Sequence, residues 1–249
     1  MKVAFALTVV ARSIYAQATE NFEAAIVRPS GPNSTIQSTL TSSQFVIRRH
    51  TLQMLIQTSY QDLPTWRMSG GPPWVAKEQW DVVAKLPKGA PTDQERLYRV
   101  AEHMLQNLLA EEFRLKTHFV LREQPIYNLV PTKGGPKLKI SEGTEASFRF
   151  TATGIEVRHQ TMQEFASSLF CADYCFRQQA DRPVFDKTGL GGYYDFILNW
   201  SPSNIEPSAA PLGPSIFTAL EEQLGLKLQP AKATLNFLVI DTAERPPQN

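Results

Sequence analysis

Thiols are almost missing from this chain. Its 249 residues include two cysteines, Cys171 and Cys175, so a framework of several disulfides is excluded. The C-x3-C spacing suits a local bridge, although side chains four apart on an intact helix fit disulfide geometry poorly. Free buried thiols are the next reading. Zinc comes last, because no further Cys or His stands at a familiar spacing. Charge of one sign is lacking too: 25 Lys and Arg stand against 24 Asp and Glu, with no dense basic run beyond Arg48-Arg49. Nucleic-acid binding needs a concentrated positive face, and none is visible.

Histidine is sparse. His50, His103, His118 and His159 show no metal-ligand spacing and no His-Glu-x-x-His. There is no Gly-x-Ser-x-Gly elbow and no phosphate-cradling glycine loop. Gly70-Gly71-Pro72-Pro73 reads as a bend whose prolines lack the N–H donors phosphate would use. The sequence therefore implies no cofactor, no metal and no catalytic residue. Long apolar runs are absent after the N-terminus, where a span would need roughly 18 apolar residues. Residues 1–18 themselves read as a signal peptide. Lys2 gives the positive start, Val3 to Ala11 the apolar stretch and Ala16-Gln17-Ala18 the small-x-small cleavage site. The mature chain is expected to begin at Thr19, without a membrane span, in the periplasm or outside the cell.

What is present is a pattern written twice. The block from Phe45 to Ile56 returns as Ile155 to Ala166, about 110 positions later. Trp80-Asp81-Val82 returns as Tyr194-Asp195-Phe196, Glu112 to Lys116 as Gln223 to Lys227, and Tyr127 to Val130 as Phe237 to Ile240. The repeated quantity is the placing of apolar and small residues. Two repeats are expected, 19–134 and 135–249, each roughly β-β-β-α-β-α-β-β. The fold class is α+β, with helices on mainly antiparallel sheets and a pseudo-two-fold relation between halves.

Thr51 and Thr161 read as N-caps, the latter with Glu164 in a capping box. Leu52, Leu55, Ile56 and Tyr60 trace one helical face, and Met162, Phe165, Ala166 and Phe170 its counterpart. A further capping box is expected at Thr92-x-x-Glu95, opening a helix that carries Leu97, Val100, Ala101, Met104, Leu105 and Leu108 on one side. Each half is expected to close on two strands, Arg114 to Arg122 then Ile126 to Pro131, and Gly225 to Gln229 then Leu235 to Asp241.

Asp186-Lys187-Thr188-Gly189-Leu190 has a catalytic look. It resembles the phosphorylated segment of cation-pumping ATPases, which carry Thr where Leu190 stands, and it holds the Lys-Thr-Gly of penicillin-recognising serine enzymes. The latter need a Ser-x-x-Lys nucleophile, and no serine here is followed by Lys at the third position. A turn into the Tyr194 strand is the simpler reading. Trp66 and Trp74, around the Gly-Gly-Pro-Pro bend, offer an apolar or sugar-stacking surface if exposed, and core cover if not.

Several runs together carry a family resemblance. They are Leu52 to Tyr60, Gly70 to Trp74, Trp80 to Lys85, Met104 to Leu109, Phe113 to Lys116, Arg182-Pro183-Val184, Asp186 to Leu190, Tyr194 to Phe196, Glu222 to Leu228, and Val239-Ile240-Asp241 with Glu244-Arg245-Pro246. Across nearly all of the mature chain they resemble a soil-associated family of exported bacterial proteins classed as a domain of unknown function. Similar domains occur attached to BlaR-type membrane metallopeptidases, which implies a sensory or partner-binding role. The resemblance supplies no catalytic residues. The expectation is an exported, non-catalytic binding module for an envelope or extracellular ligand or protein. A groove between the halves would offer Asp186, Lys187, Tyr194 and Asp195 as polar contacts. The rival is a hydrolase of cell-wall or extracellular polymer using converging carboxylates such as Asp81 and Asp195; raised carboxyl pKa values would mark it.

Overall fold

A computed structural model describes residues 21–61, 63–151, 153–170, 180–200 and 213–247. Twelve strands and four helices are described. In chain order the first eight elements are β1 (Ala24–Pro29), β2 (Gln37–Leu40), β3 (Gln44–Thr51), α1 (Leu52–Ser59), β4 (Met68–Gly70), β5 (Gln79–Lys85), α2 (Gln94–Glu112) and β6 (Lys116–Pro131). Then follow β7 (Lys139–Ile140), β8 (Ser147–Phe150), β9 (Gly154–Gln160), α3 (Met162–Leu169), β10 (Val184–Asp186), β11 (Tyr194–Asn199), α4 (Ile216–Ala219) and β12 (Leu226–Thr242). The class is α+β, and the three sheets are mostly antiparallel, with orders β1-β5-β3-β2, β10-β6-β12-β4 and β7-β11-β9-β8. Only β10 against β6 is parallel among the described pairings, Val184 lying beside Tyr127.

The chain divides into two compact units. The first holds residues up to Thr65, Ser69–His118 and the residues from Val239 onward; the second holds Trp66–Met68 and Phe119–Leu238. The chain of β6 passes from the first unit to the second, and that of β12 passes back.

In the first unit, alternation in β5 and β3 turns Trp80, Val82, Ala84, Phe45 and Ile47 to one face, all buried. Leu52, Leu55 and Ile56 of α1 and Leu97, Ala101, Met104, Leu105 and Leu109 of α2 cover that face, as helical spacing requires. Thr51 caps α1 by accepting the Met54 N–H. The residues from Val239 finish the unit: Glu244 N–H donates to Phe113 O at 2.7 Å, and the Thr242 hydroxyl to Arg114 O at 3.2 Å. Arg245 forks onto Glu78 at 2.6 and 2.8 Å and lies 5.1 Å over the Trp74 ring.

In the second unit the core gathers Ile155, Val157, Met162, Phe165, Ala166, Tyr194, Leu198 and Leu220. The Thr161 side chain accepts the Glu164 N–H, and Glu164 accepts the Thr161 N–H, completing the expected capping box. Here Thr132 N–H donates to Gly225 O at 2.9 Å, and Lys137 N–H to Leu224 O at 2.8 Å.

Three local expectations need correction. Asp93, one residue later than Thr92, caps α2 by accepting the Arg96 N–H at 2.9 Å, since a carboxylate is a strong acceptor at the positive end of a helix. Each closing strand pair is one continuous strand, of 16 residues in β6 and 17 in β12. Pro125 and Pro230, which read as interruptions, are exposed within them, and strands tolerate proline where no ladder N–H is needed. A short strand, β4 or β10, precedes β5 or β11, so the order in each half is β-β-β-α-β-β-α-β.

Candidate functional site

The richest cluster of reactive side-chain types lies in the second unit, where β9 meets β11. The register slips between Tyr194 and Phe196: Tyr194 faces Gln160, while Phe196 faces Val157. Such a slip leaves a bulge, here at Arg158-His159 opposite Asp195. His159 takes up the strain with a left-handed φ of 47°. That turns its N–H onto Asp195 Oδ1 at 2.8 Å. Ser141, just after β7, donates its N–H to Tyr193 O at 2.8 Å and places its hydroxyl 3.3 Å from His159 Nδ1. The His159 ring stacks on Tyr193, centroids 4.0 Å apart and planes within 7°. The His159 N–H holds the Asp195 carboxyl below its usual range, helped by the Ser141 hydroxyl and, less strongly, by Arg158 and Lys139 against a small effect of burial.

The first unit contains a cluster wired in the same way. Between Ile47 and His50 the β3–β5 register slips opposite Asp81. Arg49 is left-handed there, with φ 56°, and donates its N–H to Asp81 Oδ1 at 3.0 Å. Ser30 donates its hydroxyl to the same oxygen at 2.7 Å and its N–H to Gln79 O at 2.8 Å. Where His159 stacks on Tyr193, Arg49 Nε donates to Gln79 Oε1 at 3.0 Å. Asp81 is 2% exposed. Burial pushes its carboxyl up, but the Ser30 and Arg49 hydrogen bonds, with the Arg28 and Arg48 cations, outweigh that and hold it below the usual range.

Serine, histidine and aspartate together invite comparison with a hydrolytic triad. A triad needs the imidazole to bridge, one ring nitrogen on the serine and the other on the carboxylate. Asp195 instead takes the backbone N–H of His159, so it cannot orient the ring. What both clusters accomplish is the pinning of a bulge by a carboxylate. Sequence reasoning missed Ser30, Arg49, Ser141, His159 and Tyr193. The signal for Arg49 and His159 was there, because they occupy the same place in the repeated block.

The other proposed site residues are scattered. The Asp186 carboxylate accepts the Thr188 N–H and hydroxyl at 2.8 and 2.7 Å, and Leu190 N–H donates to Thr188 Oγ1. With Gly189 left-handed at φ 70°, this is the turn the sequence suggested. Lys187 N–H donates to Leu129 O, extending the β10–β6 pairing. Tyr194 is buried and donates its hydroxyl to Gly191 O at 2.9 Å. Tyr194 and Asp195 share β11, whereas Asp186 belongs to a different sheet, and the two carboxylates share no partner. Trp66 packs edge-on against Phe170 and Phe237 at 5.6 and 5.9 Å. Trp74 stacks on Phe113 and meets Trp80 edge-on, both at 6.3 Å. Cys171 and Cys175 lie outside the described residues. Among the described residues, no group of three or more His, Cys, Asp or Glu is placed to hold a metal. No described helix is long and apolar enough to cross a membrane.

Room for a ligand exists in the first unit. A hollow of about 520 Å³ runs along β1, lined by Ala25, Val27, Pro29, Trp80, Glu112 and Pro246 among others. A family model described as a protein of unknown function (DUF3738) matches residues 53–243, and that span includes the whole Asp195 cluster but only Gln79 and Asp81 of the first, since Ser30 and Arg49 precede it. The chain belongs to the DUF3738 family. No curated protein and no solved structure matches it. In this DUF3738 chain every described carboxylate whose pKa clearly departs from the ordinary value moves down: Glu78, Asp81, Glu156, Asp181 and Asp195.

Proposed function

We propose that this DUF3738 chain is an exported, non-catalytic binding module for an envelope or extracellular ligand or protein partner. The observation that carries the reading is the fate of the two matched carboxylates. A carboxylate hydrolase needs one acid whose pKa is raised so that it holds a proton near neutrality. Asp81 and Asp195 are instead held ionised by hydrogen bonds from backbone and serine donors. The hollow beside β1 has the size of a small-molecule or short-peptide site, and its lining mixes apolar Val27, Pro29 and Trp80 with charged Arg28 and Glu112.

The same reading takes residues 1–18 as a cleaved leader and the two units as copies of one ancestral unit. The matched wiring of Ser30, Arg49 and Asp81 with Ser141, His159 and Asp195 supports the second part. A sensory role, soil association and linkage to BlaR-type peptidases belong to this proposal as well.

The test is recovery of the mature protein from its native host, with mass spectrometry of the N-terminus and of whatever accompanies it. The expected result is a chain starting at Thr19 and a specific glycan, peptide or protein in stoichiometric amount. Steady release of sugars or peptides from cell-wall polymer by the purified protein, abolished in Asp195→Asn, would show catalysis and end the proposal.

A further inference from the structure

Among the described strands, β1 is the longest at a sheet edge, with six residues against four, four, three, three and two for β2, β8, β4, β10 and β7. Its sequence, Ala-Ala-Ile-Val-Arg-Pro, has one charge. Few of the usual guards against edge pairing are present.

The hydrogen-bond alternation of β1 can be fixed from its neighbours. Leu86 N–H donates to Ser43 O and Ser30 N–H to Gln79 O. Even-numbered β5 residues therefore bond β3 and odd-numbered ones bond β1. Ala24, Ile26 and Arg28 accordingly turn their backbone groups to β5, and Ala25 and Val27 turn theirs to the open edge. Both ends of this edge are closed to further pairing. Glu23 gives its N–H to Lys85 O at 2.9 Å, and Pro29 has no N–H. Two outward donors remain, symmetric about Ile26.

We infer that this edge receives a second copy of the chain, β1 pairing antiparallel with β1 about a two-fold axis at Ile26. In that register Ala25 of each copy faces Val27 of the other, and each of the two pairs exchanges two N–H···O bonds. Every outward donor is used, and Pro29 falls where no donor is needed. A self-complementary patch is what a two-fold interface requires; a foreign segment would gain nothing from the symmetry. Ile26, 62% exposed, meets its own counterpart in the close, non-hydrogen-bonded position. Behind it, toward β5 and β3, lies a hollow of about 460 Å³ lined by Ala24, Ile26, Gln44, Val83 and Lys85 among others, into which the Ile26 side chain can turn as its counterpart approaches. Each Arg28 faces Ala24 of the other copy, which keeps the two guanidinium groups apart. The inference goes beyond the binding proposal, because it names a partner and needs no ligand.

A pair of six-residue edges is small for an interface, so the dimer is weak and forms with rising concentration. Sedimentation velocity from about 5 to 500 µM, a range spanning typical weak association, should show monomer giving way to dimer. Hydrogen exchange at the Ala25 and Val27 amides should slow over the same range. Ile26→Lys places a charge at the two-fold centre, and Val27→Pro removes an outward N–H that β5 does not use. Each should remain monomeric throughout while keeping the circular dichroism and melting temperature of the parent. A parent protein that stays monomeric at the highest concentration overturns the inference, and so does a dimer that persists in both folded variants. Protection of Ala25 and Val27 only when an unrelated extended peptide is added assigns the edge to a foreign segment and also overturns it. Because Ala25 and Val27 also line the larger hollow beside β1, these measurements use protein freed of any co-purifying ligand, which mass spectrometry reads separately, so that a failed dimer and a failed ligand search remain distinguishable.

Discussion

Asp81 is the residue on which the first unit's bulge depends. It accepts from Ser30 and Arg49 and lies 4.0 Å from Arg28, all around a carboxylate that is almost fully buried. Asp81→Asn keeps the shape but loses the charge, and leaves at least one donor poorly satisfied. A loss of about 1–3 kcal/mol is expected, the usual cost of a buried group without its partner, measured by urea denaturation at pH 7. The pH dependence follows in sign. The folded carboxyl lies below its ordinary value, so its stabilisation is complete above the unfolded pKa of about 3.9 and is lost as pH falls through the lower folded value. The stability gap between parent and Asp81→Asn should therefore be constant from neutrality to about pH 5 and should close at lower pH. Asp195→Asn should shift stability in the same direction with the same pH sense.

At the scale of elements, helix starts and faces were the legible part. Thr51 and Thr161 were readable as caps because a hydroxyl stands just before an apolar period, and both accept the expected N–H. Thr161→Ala should cost about 1 kcal/mol and should shift the thermal midpoint without changing the far-ultraviolet spectrum. The apolar faces of α1 and α3 were equally readable, since periodicity records burial directly. The long strands were not, because Pro125 and Pro230 resemble breaks until their surroundings are known. The bulge clusters were hidden for a different reason. The bonds that define them run from the backbone N–H of Arg49 and His159, so the matched places of these two residues in the sequence do not tell that a bulge lies there or which group donates. Gly225 belongs to the same scale. It ends the Leu220–Leu224 π-helical turn with a left-handed φ of 64°, and a Cβ there would collide with Gly135 O. Gly225→Ala should be strongly destabilising, more so than the about 1 kcal/mol of glycine's ordinary helix penalty, with reduced yield of folded protein as the first sign.

For the whole molecule, the telling fact is how the chain is shared between units. The first unit takes its beginning from residues before Thr65 and its completion from residues after Leu238. Glu244, Thr242 and Arg245 attach there to Phe113, Arg114 and Glu78. Ending the chain at Leu238 should loosen residues 22–118 selectively. Hydrogen exchange should show lost protection in β1, β3 and β5, while β9 and β11 of the second unit stay protected. Equal loss in both units, or none in the first, would contradict the division. Contacts between residues so far apart in sequence also predict slow refolding for a chain of this size.

The residues from Val239 onward follow all of the second unit in the chain, yet they are the ones that seal the unit synthesised first. Until residues beyond Val239 emerge, Phe113 and Trp74 lack the cover that Glu244 and Arg245 bring. A polypeptide in that condition stays open to proteases, so products cut short before Val239 would be cleared.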